Sequence, residues 1–335
     1  MTGTPAPNAT PASARPAIVA PADDLGQLGF HGPDAAAFLQ GQLSSDVLAL
    51  APGAGHWTTY NSAKGRVLAS LWLWRDPHEP GHFEALLAAD LAEAMRKRLS
   101  MFVLRAKVTI EDRGSATRRF GVAGMGAATA VAAACGAAPA AGTTAGAPAL
   151  SAQVAALPDG RHVVVAAVAD APAVADALAR HAVRAGGETW RWHGIAAGVP
   201  LVTAATTDQF VAQALNWDAL GGLDFRKGCY PGQEIVARTR YLGRLKERLF
   251  LLHVEGPAPV AGTRLYSPAF DGQACGTVVD AAAAPEGGVD LLAVLQLAAV
   301  EAPGLALGTP AGAAPVRRPL PYALPDLAPP RSRPA

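Results

Sequence analysis

Lys227-Gly228-Cys229-Tyr230-Pro231-Gly232-Gln233-Glu234 is the stretch on which the reading of this sequence turns. It lies inside residues 216–248, the densest polar and Gly-rich part of an otherwise Ala-rich chain. Gly228 and Gly232 bracket Cys229-Tyr230-Pro231, the composition of a tight turn that a ligand approaches closely. Arg226 and Lys227 stand just before it, and a nearby cation lowers a thiol's pKa toward reactive thiolate. Gln233 and Glu234 then begin a helix through Ile235, Val236 and Arg238. A carboxylate there accepts hydrogen bonds from a heterocycle. An isolated cysteine is commonly a small buried hydrophobe; the setting of Gly, Lys and Glu points instead to a working thiol.

Working outward, residues 224–248 carry seven basic side chains (Arg226, Lys227, Arg238, Arg240, Arg244, Lys246, Arg248) against three acidic ones (Asp224, Glu234, Glu247). That local excess suits a phosphate backbone, and equally an ordinary solvated face. The whole chain gives no such signal. Its 335 residues have a formal net charge of +1, so it is not a polyelectrolyte built for nucleic acid. Half of the residues are hydrophobic, enough for a sizeable core. The three cysteines, Cys135, Cys229 and Cys275, form no CxxC pair, which argues against a disulfide framework or a metal cluster built on cysteines. The first twenty residues lack the basic start and unbroken apolar stretch of a secretory signal, and no apolar run reaches 18 residues. A cytoplasmic protein without a membrane partner is the expectation.

The hydrophobic pattern predicts an α+β fold. Asp34 opens a helix carrying Phe38, Leu39 and Leu43, and Val67–Trp74 and Phe83–Leu87 read as buried strands. Asp90 caps a helix through Leu99, and Val103–Ile110 alternates like a half-buried strand. Residues 121–152 read as one short helix and a variable loop. A strand at His162–Val168 and a helix over Ala171–Ala185 follow. After about residue 245 strands dominate (Leu249–Val254, Gly262–Tyr266, Gly276–Asp280, Val289–Leu297), which predicts a small β-barrel over 246–325. Residues 1–20 and 326–335 read as disordered tails around a body at 21–245.

Two strings imitate chemistry. His78-Glu79-Pro80-Gly81-His82 has the spacing of a helical zinc motif, but Pro and Gly forbid the helix, so a loop and no metal site are expected. Gly124-Met125-Gly126 lacks the third glycine and the acidic partner of a dinucleotide fingerprint and reads as a strand-to-helix turn. GxSxG does not occur, which disfavours a hydrolase.

The signature resembles the KGCYxGQE motif of the YgfZ-type folate-binding proteins, relatives of the aminomethyltransferase of glycine cleavage. Further segments fit the same family: Phe38-Leu-Gln-Gly-Gln42 with Asp46, Ala63-Lys-Gly-Arg66, Gly194-Ile-Ala-Ala-Gly-Val-Pro200, Thr207-Asp-Gln-Phe210, Asn216-Trp-Asp-Ala-Leu-Gly-Gly222 and Pro319-Leu-Pro-Tyr322. The resemblance covers about residues 22–325.

It implies a ring-like α+β body with a central opening for tetrahydrofolate or a derivative, followed by a C-terminal β-barrel. It also implies a link to the assembly or repair of iron–sulfur enzymes, including those that modify tRNA. Cys229, Lys227 and Glu234 would be the functional set. Trp190, Gly228, Tyr230, Gly232, Gln233 and Arg238 are the expected folate contacts, with Trp190 the stacking surface and Trp192 its rival. Folate, iron–sulfur client enzymes and tRNA are the implied partners. The chain departs from its transferase relatives where they carry an Asp pair: Val67-Leu68-Ala69-Ser70 stands there instead. It also lacks an acidic residue at Ala196. The alternatives are a folate-dependent one-carbon transferase and a non-catalytic tRNA- or protein-binding module.

Overall fold

A computed structural model describes residues 15–241 and 245–325. Three sheets organise it. The first comprises β2 (Leu25–His31), β3 (Gly55–Asn61), β4 (Val67–Arg75), β5 (His82–Ala88) and β6 (Thr109–Asp112) in the order β3-β4-β5-β2-β6. The second contains β1 (Ile18–Pro21), β7 (Thr117–Ala123), β8 (Thr143–Gly146), β9 (Ala152–Ala156), β10 (His162–Ala167) and β11 (Val183–Arg184), ordered β11-β1-β7-β10-β9-β8. The third holds β12 (Glu247–Val254), β13 (Arg264–Tyr266), β14 (Ala274–Ala283), β15 (Val289–Gln296), β16 (Ala306–Leu307) and β17 (Val316–Arg318), ordered β16-β13-β14-β15-β12-β17. The helices are α1 (Ala35–Gln42), α2 (Ala92–Ser100), α3 (Ala127–Cys135), α4 (Ala171–Ala179), α5 (Gly187–Ala196), α6 (Gln233–Tyr241) and α7 (Leu297–Glu301).

The apolar run of β4 is buried on both sides, and its alternation divides two cores. Leu71 and Leu73 face the main core with α1, α2, Trp217 and the inner side of the third sheet. Trp72 and Trp74 face a second core with Val163 and Val165 of β10 and Trp190 of α5. Side chains two apart on a strand share a face, so one strand serves both. The Ala-rich α3 and α4 cover the far side of the second sheet, where only small residues let helix and strand approach closely.

Several expectations are corrected. Val103–Ile110 forms a strand only from Thr109, because β2 ends at His31, which pairs with Thr109 and leaves the preceding residues without a ladder. The loop expected before residue 152 contains β8, and β9 begins at Ala152; the two form a hairpin of small residues that carries no alternating apolar signal. The helix begun at Ala171 ends at Ala179, and Val183–Arg184 pairs in parallel with β1. The expected N-terminal tail overlaps β1, which begins at Ile18; residues 1–14 and 326–335 lie outside the described residues. The third sheet curls but stays open among the described residues, since β16 and β17 pair only with β13 and β12. The closing Pro-rich segment docks through Tyr322, whose Oη donates to Gly198 O at 2.7 Å. Among the described residues no helix is long and apolar enough to cross a membrane.

Candidate functional site

The signature turn is built on the C-terminal end of α1. Asp224 N donates to Ser44 O at 2.9 Å, and Ser44 Oγ donates to Gly222 O at 2.6 Å. The Asp224 carboxylate accepts the backbone N–H of Arg226 at 2.6 Å and of Lys227 at 3.2 Å, closing the turn from its own side chain. Lys227 is buried, with its ammonium donating to Gln40 O and Leu43 O, carbonyls at the end of α1 that have no partner within the helix. The Tyr230 ring lies 5.0 Å from the same ammonium. Burial pulls the Lys227 pKa down to about 8, against the raising influence of Asp46, Asp224 and Cys229. Burial likewise holds His56 neutral, at about 4.

Gly232 completes the turn with φ +77°, and a Cβ there would lie 2.5 Å from Gly65 Cα and Ser62 O. Two backbones cross where a side chain on either would collide. Gly228 serves differently: its φ is not positive and nothing lies within 4 Å of its absent Cβ, so it leaves open space beside the sulfur. Cys229 is exposed, whereas Cys135 and Cys275 are buried, with Cys135 pushed up to about 11 by burial. Glu234 is exposed in the first turn of α6, Arg238 is exposed in its last, and Gln233 Nε2 reaches Lys227 O at 3.5 Å. Tyr230 is buried and acts as a wedge, its pKa raised to about 12 mainly by burial.

The other expected motifs pack around this turn. Ser62 Oγ donates to Asp208 Oδ1 at 2.8 Å, and Arg66 donates to Gln209 O. Gln213 Nε2 donates to Val236 O at 2.6 Å. Arg248 makes a bidentate pair with Asp218 at 2.8 and 2.9 Å and also donates to Asn216 Oδ1. The basic stretch is therefore not one binding surface. Lys227 and Arg248 are buried structural cations, and Arg244 lies outside the described residues. Arg226, Arg238, Arg240 and Lys246 remain exposed.

A separate cleft lies where the three sheets meet. Trp57 and Ser70 line it with Trp72, Arg161, Trp190 and Arg191, and two carboxylates, Asp24 and Asp280, join them. Of the expected site residues only Trp190 is here; none of residues 227–234 lines the cleft. Trp190 belongs to α5, where residues two apart point in different directions. Trp192 accordingly enters the main core and donates to Asp290 Oδ2 at 2.8 Å, which removes it as a rival platform. Sequence reasoning missed Asp24, Arg161, Arg191 and Asp280, since no local pattern links positions this far apart.

The donor set suits a flat heterocycle bearing N–H and carbonyl groups. Trp57 and Trp72 stand edge to face at 5.1 Å, and the buried Trp72 Nε1 has no hydrogen-bond partner. Burial, reinforced by Asp280 and opposed by Arg161 and Arg191, raises Asp24 to about 6, so it holds or releases a proton near neutral pH. Room is the constraint. Only about 50 Å³ is open, space for a few waters, and the Arg161 guanidinium covers the Trp190 ring at 4.8 Å. Asp159 holds Arg161 there, and Gly194 makes the space, since a Cβ would lie 2.7 Å from Arg161 Nη1. A ring stacked on Trp190 must displace this guanidinium. Ser70, at the position of the missing acid pair, accepts from Val202 N at 3.1 Å and donates to Pro200 O.

No protein-family model matches the sequence. Curated relatives do. The chain is 34% identical over 259 residues to the tRNA-modifying protein YgfZ of Klebsiella pneumoniae (strain 342), covering 75% of this chain and 77% of that one. It is 34% identical over 283 residues to the protein of the same name from Edwardsiella ictaluri (strain 93-146), covering 82% and 83%. Among solved structures, the glycine cleavage system aminomethyltransferase T from Bartonella henselae superposes with a TM-score of 0.70 over 86% of this chain and 80% of that one. At 16% identity that likeness shows the fold alone.

Proposed function

This chain belongs to the YgfZ family, and we propose that it is a tetrahydrofolate-binding accessory protein acting in the cytoplasm, where it supports assembly or repair of iron–sulfur enzymes with Cys229 as its functional thiol. tRNA-modifying enzymes are among the proposed clients, in keeping with the name its relatives carry. The observation that carries the reading is the Cys229 turn. Of three cysteines this one is exposed, and its turn is locked by Lys227 on α1 and by the crossing of Gly232 with Gly65. Packing of that kind holds a reactive group in one place.

Folate belongs in the cleft, with Trp190 as the platform once Arg161 moves aside, and with Asp24 and Trp72 Nε1 meeting the polar edge of the ring. Bound tetrahydrofolate supplies a carrier for one-carbon units. Arg161 and Arg191 are the cations an anionic group would meet, in competition with Asp159 for the first and with Asp280 and Glu188 for the second. The four exposed cations near the turn offer contacts to tRNA.

Titration with tetrahydrofolate, followed by quenching of Trp fluorescence, tests the cleft. Saturable quenching that weakens in Trp190→Ala is expected; no saturable binding by the wild type refutes the folate reading. Expression of Cys229→Ala in a deletion strain tests the thiol. Iron–sulfur enzyme activity should stay low while folate binding persists, and full restoration would remove the role given to Cys229.

One observation favours a second reading, a folate-dependent one-carbon transferase. Asp24, at about 6, is a base within the cleft where the strand residue Ser70 offers none. Turnover of a methylamine donor to methylene-tetrahydrofolate, lost in Asp24→Asn, would establish it; absence of turnover leaves the accessory role.

A further inference from the structure

On the first sheet β2 and β5 run antiparallel, with His31 directly opposite His82 and Gly29 opposite Glu84. His82 and Glu84, two apart, share a face, and His31 joins them across the ladder. One ligand atom from each of the three lies within 4.8 Å of the others. His82 Nε2 is 2.8 Å from Glu84 Oε1, while its Nδ1 is engaged by Glu79 Oε2 at 3.2 Å. A carboxylate on one ring nitrogen orients the ring and selects the other nitrogen as ligand, the outer-shell arrangement common around metal-binding histidines. Glu84 is almost fully buried, and its second oxygen accepts from Gln27 Nε2 at 2.9 Å.

A further observation points to something placed among these atoms. His31 Nε2 is buried without a hydrogen-bond partner. Gly29 lets these atoms crowd over the strand: a Cβ there would lie 3.0 Å from His31 Nε2, 3.1 Å from Arg113 Cδ and 3.5 Å from Glu84 Oε1. Arg113 donates to Glu84 Oε1 and supplies the positive charge this buried carboxylate needs. Its side chain is 34% exposed, so solvent is within its reach and the contact to Glu84 is open to competition by another cation.

We propose that His31, His82 and Glu84 bind a divalent transition-metal ion, with Zn²⁺ or a first-row neighbour the fitting class. Two imidazoles and one carboxylate match those ions rather than Ca²⁺ or Mg²⁺, which take oxygen ligands. Water or Glu111, whose Oε2 is 3.6 Å from His31 Nε2, completes the shell. The site shares no residue with the cleft or the Cys229 turn. The His78–His82 string takes part after all, though not as a helix. Glu79 orients His82, and His82 enters β5, where strand pairing supplies the partners that the string itself lacks.

The test titrates the metal-free full chain with Zn²⁺ against a chromophoric chelator and records the visible spectrum of the Co²⁺ form. One ion per chain is expected, with Co²⁺ bands of a site of low coordination number. His31→Ala should weaken binding at least about 100-fold, and Glu79→Gln about 10–100-fold, as loss of an outer-shell partner does. Both side chains are partly exposed, so folding, checked by circular dichroism, should persist. Arg113→Met should tighten binding. Failure of the wild type to bind Zn²⁺ tighter than millimolar overturns the proposal. So does a His31→Ala/His82→Ala variant that still binds one ion with wild-type affinity.

Discussion

Replacing Lys227 with Met separates a structural cation from a thiol activator. Met preserves most of the aliphatic stem and removes both donors from the α1 carbonyls of Gln40 and Leu43. Each buried carbonyl left unpaired costs about 1–3 kcal/mol. Against this, the ammonium is buried unfavourably: the fall of its pKa from 10.5 to about 8 corresponds to about 3 kcal/mol, at about 1.4 kcal/mol per pH unit. With two carbonyls left unpaired, about 2–6 kcal/mol together, the balance predicts a net loss centred on about 1 kcal/mol at pH 7. The pH dependence sharpens the test. Between pH 8 and 10.5 the unfolded chain keeps this proton and the folded chain has released it, so wild-type stability rises with pH, by about 3 kcal/mol across the window. A neutral amine still donates to the carbonyls, and Met has nothing to titrate. The gap between the two proteins should therefore widen as pH rises. Urea unfolding followed by Trp fluorescence at pH 7, 8.5 and 10, in a Cys229→Ser background so that the thiol does not titrate, measures it. A gap that stays constant or narrows would refute the account of Lys227 as a buried clamp on α1.

Three other outcomes follow from the same geometry. Gly232→Ala combines a φ of +77° with a Cβ 2.5 Å from backbone atoms, and should lower stability by about 2–4 kcal/mol in urea unfolding; a loss below about 1 kcal/mol would mean the crossing yields easily. Asp24→Asn should stabilise the protein at pH 7. The raised pKa, about 6 against 3.8, means that ionisation costs the folded state up to about 3 kcal/mol as pH rises from 4 to 6. That advantage should vanish below pH 4, and thermal melts at pH 3.8 and 7 check it. Tyr322→Phe removes the hydrogen bond to Gly198 O and should cost about 1–2 kcal/mol, with an unchanged melting temperature showing that the closing segment is only loosely docked.

Much of the fold was legible because its signals are local. The run at 67–74, the helix after Asp34, the helix from Gln233 and the strand-rich texture after residue 245 each follow from periodicity and turn residues within one window. Where a strand depends on a partner rather than on its own pattern, the reading failed. Val103–Val108 alternates but has no ladder, whereas Thr143–Gly146 has a ladder but hardly alternates.

The same division runs through the site. By itself the sequence determined the turn around Cys229, because a tight bend, a neighbouring cation and a helix start are written in consecutive residues. Only the tertiary structure decided which atoms meet. It places Lys227 on the end of α1, turns Trp190 and Trp192 into different cores, and seats Arg161 on the Trp190 face. It also gathers Asp24 and Asp280 into one cleft and sets His31 across from His82. Such meetings depend on strand register and on which layers pack together, and these are set by the burial of the whole chain rather than by any one segment.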